Sequence, residues 1–321
     1  MSKVFITGIS GQDGSYLAEH MLDMGHEVHG MVRRHSVAEN QQYRLEHIKK
    51  DIQVHYGDMT DQTSIEKLLS EVKPDYIFNL AAQSHVRISF DIPQYTFHVN
   101  ALGVLNLLEA YRRIVPNAKF YQASSSEMFG LSIDEDGFQR ETTPMNPTSP
   151  YGCAKVAAYN LVRHYRRAHG LHACNGILFN HESPRRGANF VTQKIILGAI
   201  RCLYGREVAL ELGNMDSYRD WGHSYDYVRA MWKIVNHQDP EDFVVSSMTT
   251  HSVRNLCDTV FSYLGADYKD YVVQNPKYMR SEELPYLKGD STKARTTLGW
   301  EPTYTFEKML HEMIEYWRDQ L

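Results

Sequence analysis

Tyr151 and Lys155 stand four residues apart, the spacing that places two side chains on one face of a helix, one turn apart. A phenol with a reference pKa of about 10 is a poor base near neutrality, but a neighbouring ammonium and any further positive charge beside it favour its anion. Such a phenolate can take a proton from an alcohol. Among 21 tyrosines the spacing arises about once by chance, so its meaning depends on its surroundings. Upstream, the run Lys119–Ala123 leads into Ser124-Ser125-Ser126-Glu127. Strand alternation puts Ser125 and Glu127 on the same side, where a hydroxyl and a carboxylate could meet one substrate. The bland alternative is that the serines satisfy backbone groups at a strand exit while Glu127 faces water.

A second constellation lies at the start of the chain. Thr7-Gly8-Ile9-Ser10-Gly11-Gln12-Asp13-Gly14 is a GxxGxxG turn between a strand-like run and a helix-like one. Glycines suit a tight turn that a diphosphate approaches closely, with the N–H donors of a helix N-terminus aimed at it. At the end of the second strand an acidic residue would bind a ribose 2′-hydroxyl, whereas arginine suits a 2′-phosphate. The chain reads Val32-Arg33-Arg34 there, which favours NADP over NAD, the alternative being a solvated basic loop. Gly57-Asp58-Met59 and Leu80-Ala81-Ala82-Gln83-Ser84 follow the third and fourth strands, where a doubly wound sheet carries its ligand loops. By position alone they could equally be ordinary turns.

These residues need a scaffold, and the periodicity supplies one. Strands are predicted at Lys3–Thr7, Glu27–Val32, Ile52–His55, Tyr76–Asn79, Lys119–Ala123 and His172–Phe179. Helices are predicted between them, at about Gly14–Met24, Ser64–Glu71, Thr96–Val115 and Pro150–His169. The alternation predicts an α/β fold, a doubly wound (Rossmann) parallel sheet with helices on both faces. Ser149 can cap the helix that begins at Pro150, and Gly170 suits its exit. After Phe179 the pattern loosens and ends in an amphipathic helix near Phe306–Asp319. The expected division is a dinucleotide-binding part over 1–178 plus about 215–248, interleaved with a smaller α/β substrate-binding part over about 179–214 and 249–321.

Composition narrows the class. The 321 residues are 42% hydrophobic and 23% charged, ordinary globular values, and the net charge of −5 gives no general attraction to nucleic acid or acidic membranes. Any anionic ligand must be held by local basic residues. Cys153, Cys174, Cys202 and Cys257 lie far apart with no CxxC pair, which points away from a zinc or disulfide framework and toward a reducing cytoplasm. No export signal and no run of about 18 apolar residues is read, so no membrane span is expected. His181-Glu182 could be a metal pair, but no third ligand stands at helical spacing and no metal is expected.

Together the blocks TGISGQDGSYLAE, YQASSSEMFG, SPYGCAK, CNGILFNHESPRRGANFVTQKI at 174–195, LGNMDSYRDWGHSYDYV at 212–228 and RSEELPYLKGDSTKA from Arg280 resemble GDP-mannose 4,6-dehydratases of the extended short-chain dehydrogenase/reductase superfamily, over nearly the whole length. The resemblance implies a lyase that keeps its NADP and turns GDP-mannose into GDP-4-dehydro-6-deoxymannose, the first step toward deoxysugars of the GDP-fucose kind. A ketone made at C4 acidifies the C5 hydrogen, so that water can leave from C6. Ser125, Glu127, Tyr151 and Lys155 are the implied catalytic set: Tyr151 as base at the C4 hydroxyl, Lys155 holding phenol and ribose, Glu127 at C5 and C6, and Ser125 on the C4 oxygen.

By the same resemblance NADP is held by Gly8, Ile9, Ser10, Gly11, Gln12, Asp13, Gly14, Arg33, Asp58, Met59, Leu80, Ala81, Ala82, Gln83, Ser84, Tyr95, Lys155, His181 and Arg186. The nucleotide-sugar falls to Ser84, Ser125, Ser126, Glu127, Tyr151, Asn180, Glu182, Lys194, Leu212, Gly213, Asn214, Arg219, Arg280 and Glu283. Basic side chains are needed among them because a diphosphate is anionic and the protein as a whole is not basic. Two positions depart from the family pattern: Ser125 and Ser10 stand where threonine is usual, keeping the hydroxyl without the methyl. The segment His35–Asn40 also matches less well, in a region through which subunits of the family share cofactor contacts. A homo-oligomer is expected, a tetramer first and a dimer second. The rival readings are an epimerase, decarboxylase or 4-keto reductase of the same fold, and a non-catalytic NADP sensor, which would have lost Tyr151, Lys155 or Glu127.

Overall fold

Most strands of the main sheet are short runs of buried, largely apolar residues, because helices cover both faces and leave few positions for water. In β1 (Lys3–Thr7) the side chains of Val4 and Ile6 enter one core and Phe5 the other. The computed structural model describes residues 1–34, 43–279 and 282–320. Two expectations from the sequence, the poorly matching segment His35–Asn40 and the substrate contact Arg280, lie outside the described residues.

The strands are β1, β2 (Glu27–Val32), β3 (Ile52–Tyr56), β4 (Tyr76–Asn79), β5 (Lys119–Ser125), β6 (Ala173–Leu178), β7 (Asn180–Glu182), β8 (Leu210–Leu212), β9 (Tyr218–His223), β10 (Asp242–Val245), β11 (Thr250–Ser252) and β12 (Val272–Gln274). The helices are α1 (Gln12–Asp23), α2 (Gln62–Val72), α3 (Val86–Ser89), α4 (Pro93–Phe97), α5 (Gly103–Ile114), α6 (Pro150–His169), α7 (Val191–Leu203), α8 (Ser224–Asn236), α9 (Val253–Tyr263), α10 (Thr292–Leu298) and α11 (Phe306–Gln320). The main sheet runs β10-β6-β5-β4-β1-β2-β3 and every pair in it is parallel. The direction of strand addition reverses between β1 and β4, so a crevice opens at their carboxyl ends.

Leu17 and Met21 of α1 and Val228 and Met231 of α8 fill one face of the sheet. Ile65 and Leu69 of α2, Leu107 and Leu108 of α5, and Ala158 and Val162 of α6 fill the other. A separate core joins Ile196 of α7, Leu256 of α9 and Met309 and Leu310 of α11. Between these bodies, β9 pairs with β7 and β11 in a three-stranded sheet, which carries Asn180, Glu182 and Arg219 over the mouth of the crevice.

Most predicted elements are found within a residue or two of their expected ends, and α6 starts and stops where its Ser149 cap and left-handed Gly170 require. One helix differs. The single helix expected over Thr96–Val115 is α4, a widened π-type turn at His98–Leu102, and α5. The turn brings Asn100 to the loop after β4, where its Oδ1 accepts from Gln83 N at 2.8 Å and its Nδ2 donates to Gln83 O at 2.9 Å. Such bulges recur where a helix must re-aim a side chain, and the helical periodicity around them masks them in a sequence.

At the exit of α2, Lys73 takes a left-handed conformation (φ 50°) and is exposed, while its N–H bonds to Leu69 O. A side chain is strained there and glycine is not. Lys73→Gly is expected to stabilise the fold by about 1 kcal/mol, read as a higher urea midpoint with unchanged slope.

Candidate active site

The crevice is built on a chain of buried side-chain hydrogen bonds across three strand ends. Thr7 Oγ1 donates to Asn79 Oδ1 at 2.6 Å, and Asn79 Nδ2 donates to Gln122 Oε1 at 2.8 Å. Thr7 Oγ1 also accepts from the N–H groups of Leu80 and Ala81, each at 3.1 Å. Gln122 Nε2 reaches Ala123 O at 3.1 Å, and Lys155 Nζ donates to the same carbonyl at 2.8 Å. The ends of β1, β4 and β5 and the lysine of α6 are thereby held in one register.

Gly8 turns out of β1 at φ 69°, and a Cβ there would stand 2.9 Å from Ala81 N, so only glycine lets the two loops meet. Gly11 caps α1 without a side-chain bond, which leaves the first-turn N–H groups for a ligand. A cavity of about 560 Å³ opens beside this turn, lined by Gly8, Ser10, Gly11, Arg33, Asp58, Met59, Leu80, Ala81, Ala82, Ser84 and Tyr95 among others. Arg33 lies against Tyr95, its guanidinium donating to the phenol oxygen. These features fit a dinucleotide: a crowded glycine turn, an open helix end and an arginine at the tip of β2.

Leu80, Ala82 and Ser84 also line a second cavity, of about 360 Å³. Into it come Asp13, Ser125, Ser126, Glu127, Tyr151, Lys155, Asn180, His181, Glu182, Arg186, Lys194, Leu212, Gly213, Asn214, Arg219 and Glu283. Four of the expected cofactor residues line neither cavity. Ile9 is core, with its side chain against Gly30, and Gly14 packs α1 onto the turn. Gln12 staples α1 to β7, donating to His181 O at 3.1 Å and accepting from Ser183 Oγ at 2.8 Å. Gln83 shapes its own loop through His85 and Asn100.

Tyr151 is 8% and Lys155 5% exposed. Burial pushes the Tyr151 phenol up to about 12, against a hydrogen bond from Ser125 that pulls it down and the Glu127 carboxylate that pushes it further. Burial likewise brings Lys155 down to about 8, still charged near neutrality. A phenol in this setting ionises only when positive charge gathers beside it, and the Lys155 ammonium is 5.7 Å from its ring centre. Gly152, the next residue of α6, lets the helix sit on the turn that carries Glu127, because a Cβ would lie 2.8 Å from the Glu127 carbonyl.

The strand alternation expected for Ser125 and Glu127 stops short. β5 ends at Ser125 and a 3₁₀ turn, Ser126–Met128, begins there, capped as Ser125 Oγ accepts from Glu127 N at 3.2 Å. Both side chains still line the cavity, brought together by the turn rather than by the pleat. Glu127 is buried, contrary to the solvated alternative.

Glu182 is buried beside Arg186 (3.0 Å), and burial raises its carboxyl while Arg186 opposes the shift. Among the described residues no group of three or more His, Cys, Asp and Glu side chains is placed to hold a metal.

The structure adds residues that the motifs do not reveal. Arg44 lines the larger cavity and is fixed by Ser10 O and Arg185 O. Ser217, Trp221, Phe190 and Tyr278 line the smaller one, and the Tyr278 ring lies 3.8 Å from Lys194 Nζ. Asn79 and Gln122 had a readable signal, since each follows an apolar run with a carboxamide that must find partners once buried. Arg44 had none, because its approach depends on a fold-back of the chain.

A doubly wound sheet with a glycine turn, a Tyr–Lys pair on one helix face and a second cavity roofed by a smaller sheet defines an extended short-chain dehydrogenase/reductase. The profile of the family described as GDP-mannose 4,6 dehydratase matches residues 5–313. GDP-mannose 4,6 dehydratase 1 of Arabidopsis thaliana is 48% identical over 97% of this chain and 88% of its own length. The human GDP-mannose 4,6 dehydratase is 46% identical over 96% and 89%. Among solved structures, the UDP-glucose 4-epimerase of Thermus thermophilus in complex with NAD superposes with a TM-score of 0.86 at 25% identity, covering 99% of this chain and all of that one. The chain belongs to the GDP-mannose 4,6-dehydratase family.

Lys155 carries a pH signature. Its ammonium is destabilised in the folded state, so at pH values below about 8 the full penalty is present, and it fades as pH rises from about 8 toward the ordinary lysine value of 10.5. Lys155→Met is therefore expected to be about 1 kcal/mol or more stabler than the parent near pH 7, with the advantage vanishing toward the upper end of that window, measured by thermal melts across pH.

Proposed function

We propose that the chain converts GDP-mannose to GDP-4-dehydro-6-deoxymannose and water with NADP as its resident dinucleotide. The observation that carries this reading is the convergence of Ser125, Glu127, Tyr151 and Lys155 on the cavity that adjoins the glycine turn. An epimerase needs the Tyr–Lys pair, but elimination also needs an acid beside it, and Glu127 is in place.

When bound, the dinucleotide supplies a two-electron store, accepting hydride from C4 and returning it to C6. Tyr151 takes the C4 hydroxyl proton, and the Lys155 ammonium stabilises its anion. Ser125, bonded to Tyr151, holds the C4 oxygen as it becomes a carbonyl. Glu127 removes the C5 proton that the new ketone has acidified and delivers it to the departing C6 hydroxyl, which leaves as water; as C6 is reduced, C5 regains one proton from solvent-exchangeable groups of the site, which balances the one Tyr151 took from the C4 hydroxyl. Lys194 and Arg219 supply fixed charge for the nucleotide diphosphate, each tied to a backbone carbonyl, Lys194 to Glu211 O at 2.6 Å and Arg219 to Leu284 O at 2.8 Å.

The choice of NADP is supported by Arg33 and Arg44, which line the dinucleotide cavity near the tip of β2, where Asp58 is the one carboxylate among the described lining residues. The structural neighbour from Thermus thermophilus holds NAD, so the arginines carry the distinction. Apart from Ile9, Gln12, Gly14, Gln83 and Arg280, the residues assigned to cofactor and substrate line one cavity or the other, with Asp13, Lys155, His181 and Arg186 in the smaller one, where the two ligands would meet. The proposed division into a dinucleotide part, 1–178 with about 215–248, and a nucleotide-sugar part is supported by β10, which returns to the main sheet after the chain has built β7 to β9. The four free cysteines suit a reducing cytoplasm, and no described helix is long and apolar enough to cross a membrane. Exposed Ile88, Ile92, Phe97 and Leu102 support a homo-oligomer, and the family resemblance puts a tetramer before a dimer.

Incubation with GDP-mannose in deuterated water is expected to give a C6 methyl signal and deuterium at C5 by NMR. Unchanged mannose, or its C4 epimer, would overturn the assignment. Tyr151→Phe is expected to lower turnover by about 10²-fold or more, and Glu127→Gln to stop methyl formation while leaving C4 oxidation detectable. For the cofactor, Arg33→Asp is expected to weaken NADPH binding by about tenfold or more with a much smaller effect on NADH, read by fluorescence titration.

A further inference from the structure

The glycine turn carries an aspartate where an anion is expected to bind. Asp13 is the second residue of α1, and its charge competes with a diphosphate for the positive end of that helix. Its carboxylate faces His181: Asp13 Oδ2 lies 2.8 Å from His181 Nε2. The other ring nitrogen, Nδ1, lies 2.7 Å from the Phe179 carbonyl oxygen. A carbonyl can only accept, so Nδ1 carries a hydrogen. Asp13 Oδ1 also accepts from Ser224 Oγ at 2.9 Å and Gln12 Nε2 at 3.3 Å, bonds that favour the ionised carboxylate and so a hydrogen on Nε2 facing Oδ2. Both nitrogens then carry hydrogens.

We propose that His181 is held as an imidazolium between Asp13 and the Phe179 carbonyl, and that this fixed cation lets a turn bearing an aspartate accept the dinucleotide diphosphate. The role rests on the dinucleotide reading of the site; the ion pair itself does not. Asp13 acts here as a positioning residue that sets the charge of His181.

The surroundings agree. The groups facing the pair are Arg186 from the loop after β7, Glu182 from β7, His223 from β9, Tyr121 from β5, Tyr151 and Lys155 from α6, and Tyr227 from α8, whose ring stacks on His181 at 4.5 Å between centres. With Asp13 and Glu182 ionised, Arg186 and Lys155 balance them, and the imidazolium leaves the cluster with one positive charge toward an anion. Burial opposes charge on both partners, yet His181 lies above the ordinary imidazole value because Asp13 outweighs that cost, and Asp13 lies below the ordinary carboxyl value because His181 and Ser224 do the same.

The first test is direct. The full chain with ¹⁵N-labelled histidine is expected to show both ring nitrogens of His181 protonated at about pH 7.5, a unit above the reference imidazole value, and Asp13→Asn to lower its titration midpoint. A neutral tautomer in the parent would overturn the proposal. The second is a double-mutant cycle read by NADPH fluorescence titration. His181→Gln leaves Asp13 without its counter-charge and is expected to weaken binding by about tenfold or more, whereas Asp13→Asn/His181→Gln removes both charges and recovers most of that loss. A double variant no better than His181→Gln would reduce the histidine to an ordinary donor and refute the charge role. If the parent bound neither NADPH nor NADH, the dinucleotide reading itself would fall, while the histidine spectrum would still decide the ion pair.

Discussion

The site depends on one row of hydrogen bonds, from Thr7 through Asn79 and Gln122 to the Ala123 carbonyl and Lys155. Each member is a polar group taken from water into the carboxyl end of a parallel sheet, where an unmade bond costs more than a made one gains. The row therefore holds only when three strands and one helix sit in register. Once they do, the glycine turn, the loop after β4 and Lys155 have fixed separations, and the two cavities meet at Leu80, Ala82 and Ser84.

Charge is the second constraint. A chain with net charge −5 has, on the proposed reading, two diphosphates to accept in adjoining cavities. The cations that line the cavities are fixed by backbone carbonyls and neighbouring rings: Arg44 on Ser10 O and Arg185 O, Lys194 on Glu211 O, Arg219 on Leu284 O, and Arg33 against Tyr95. Holding them in place limits the side-chain entropy lost when an anion arrives. Tyr151 and Lys155 answer to the same constraint, since burial disfavours charge on both and so makes the phenolate conditional on a ligand that brings positive charge with it.

The chemistry of a lyase that borrows hydride also explains the architecture. Oxidation at C4, proton loss at C5 and reduction at C6 act on three neighbouring carbons, so acid, base and dinucleotide must share one small space. β5 meets this by ending early: the 3₁₀ turn at Ser126–Met128 brings Glu127 into the cavity with Tyr151, and Gly152 lets α6 close on that turn.

The order of residues was enough to fix strands β1 to β6, the cap and exit of α6, the glycine turn and the Tyr–Lys face, because these depend on local periodicity, on capping chemistry and on residue types that few other conformations use, whereas the short strands β7 to β12 carry too little period to be read. It also named most of the side chains that line the two cavities, through motifs whose order along the chain survives folding. Folding in three dimensions was needed to show that Ile9, Gln12, Gly14 and Gln83 line neither cavity, that the helix over Thr96–Val115 is interrupted so that Asn100 can hold Gln83, and that Arg44 reaches the cavity beside the glycine turn. Each of those outcomes turns on partners outside the local window, such as His181 for Gln12 and Arg185 for Arg44, and long-range pairing leaves no period in a sequence.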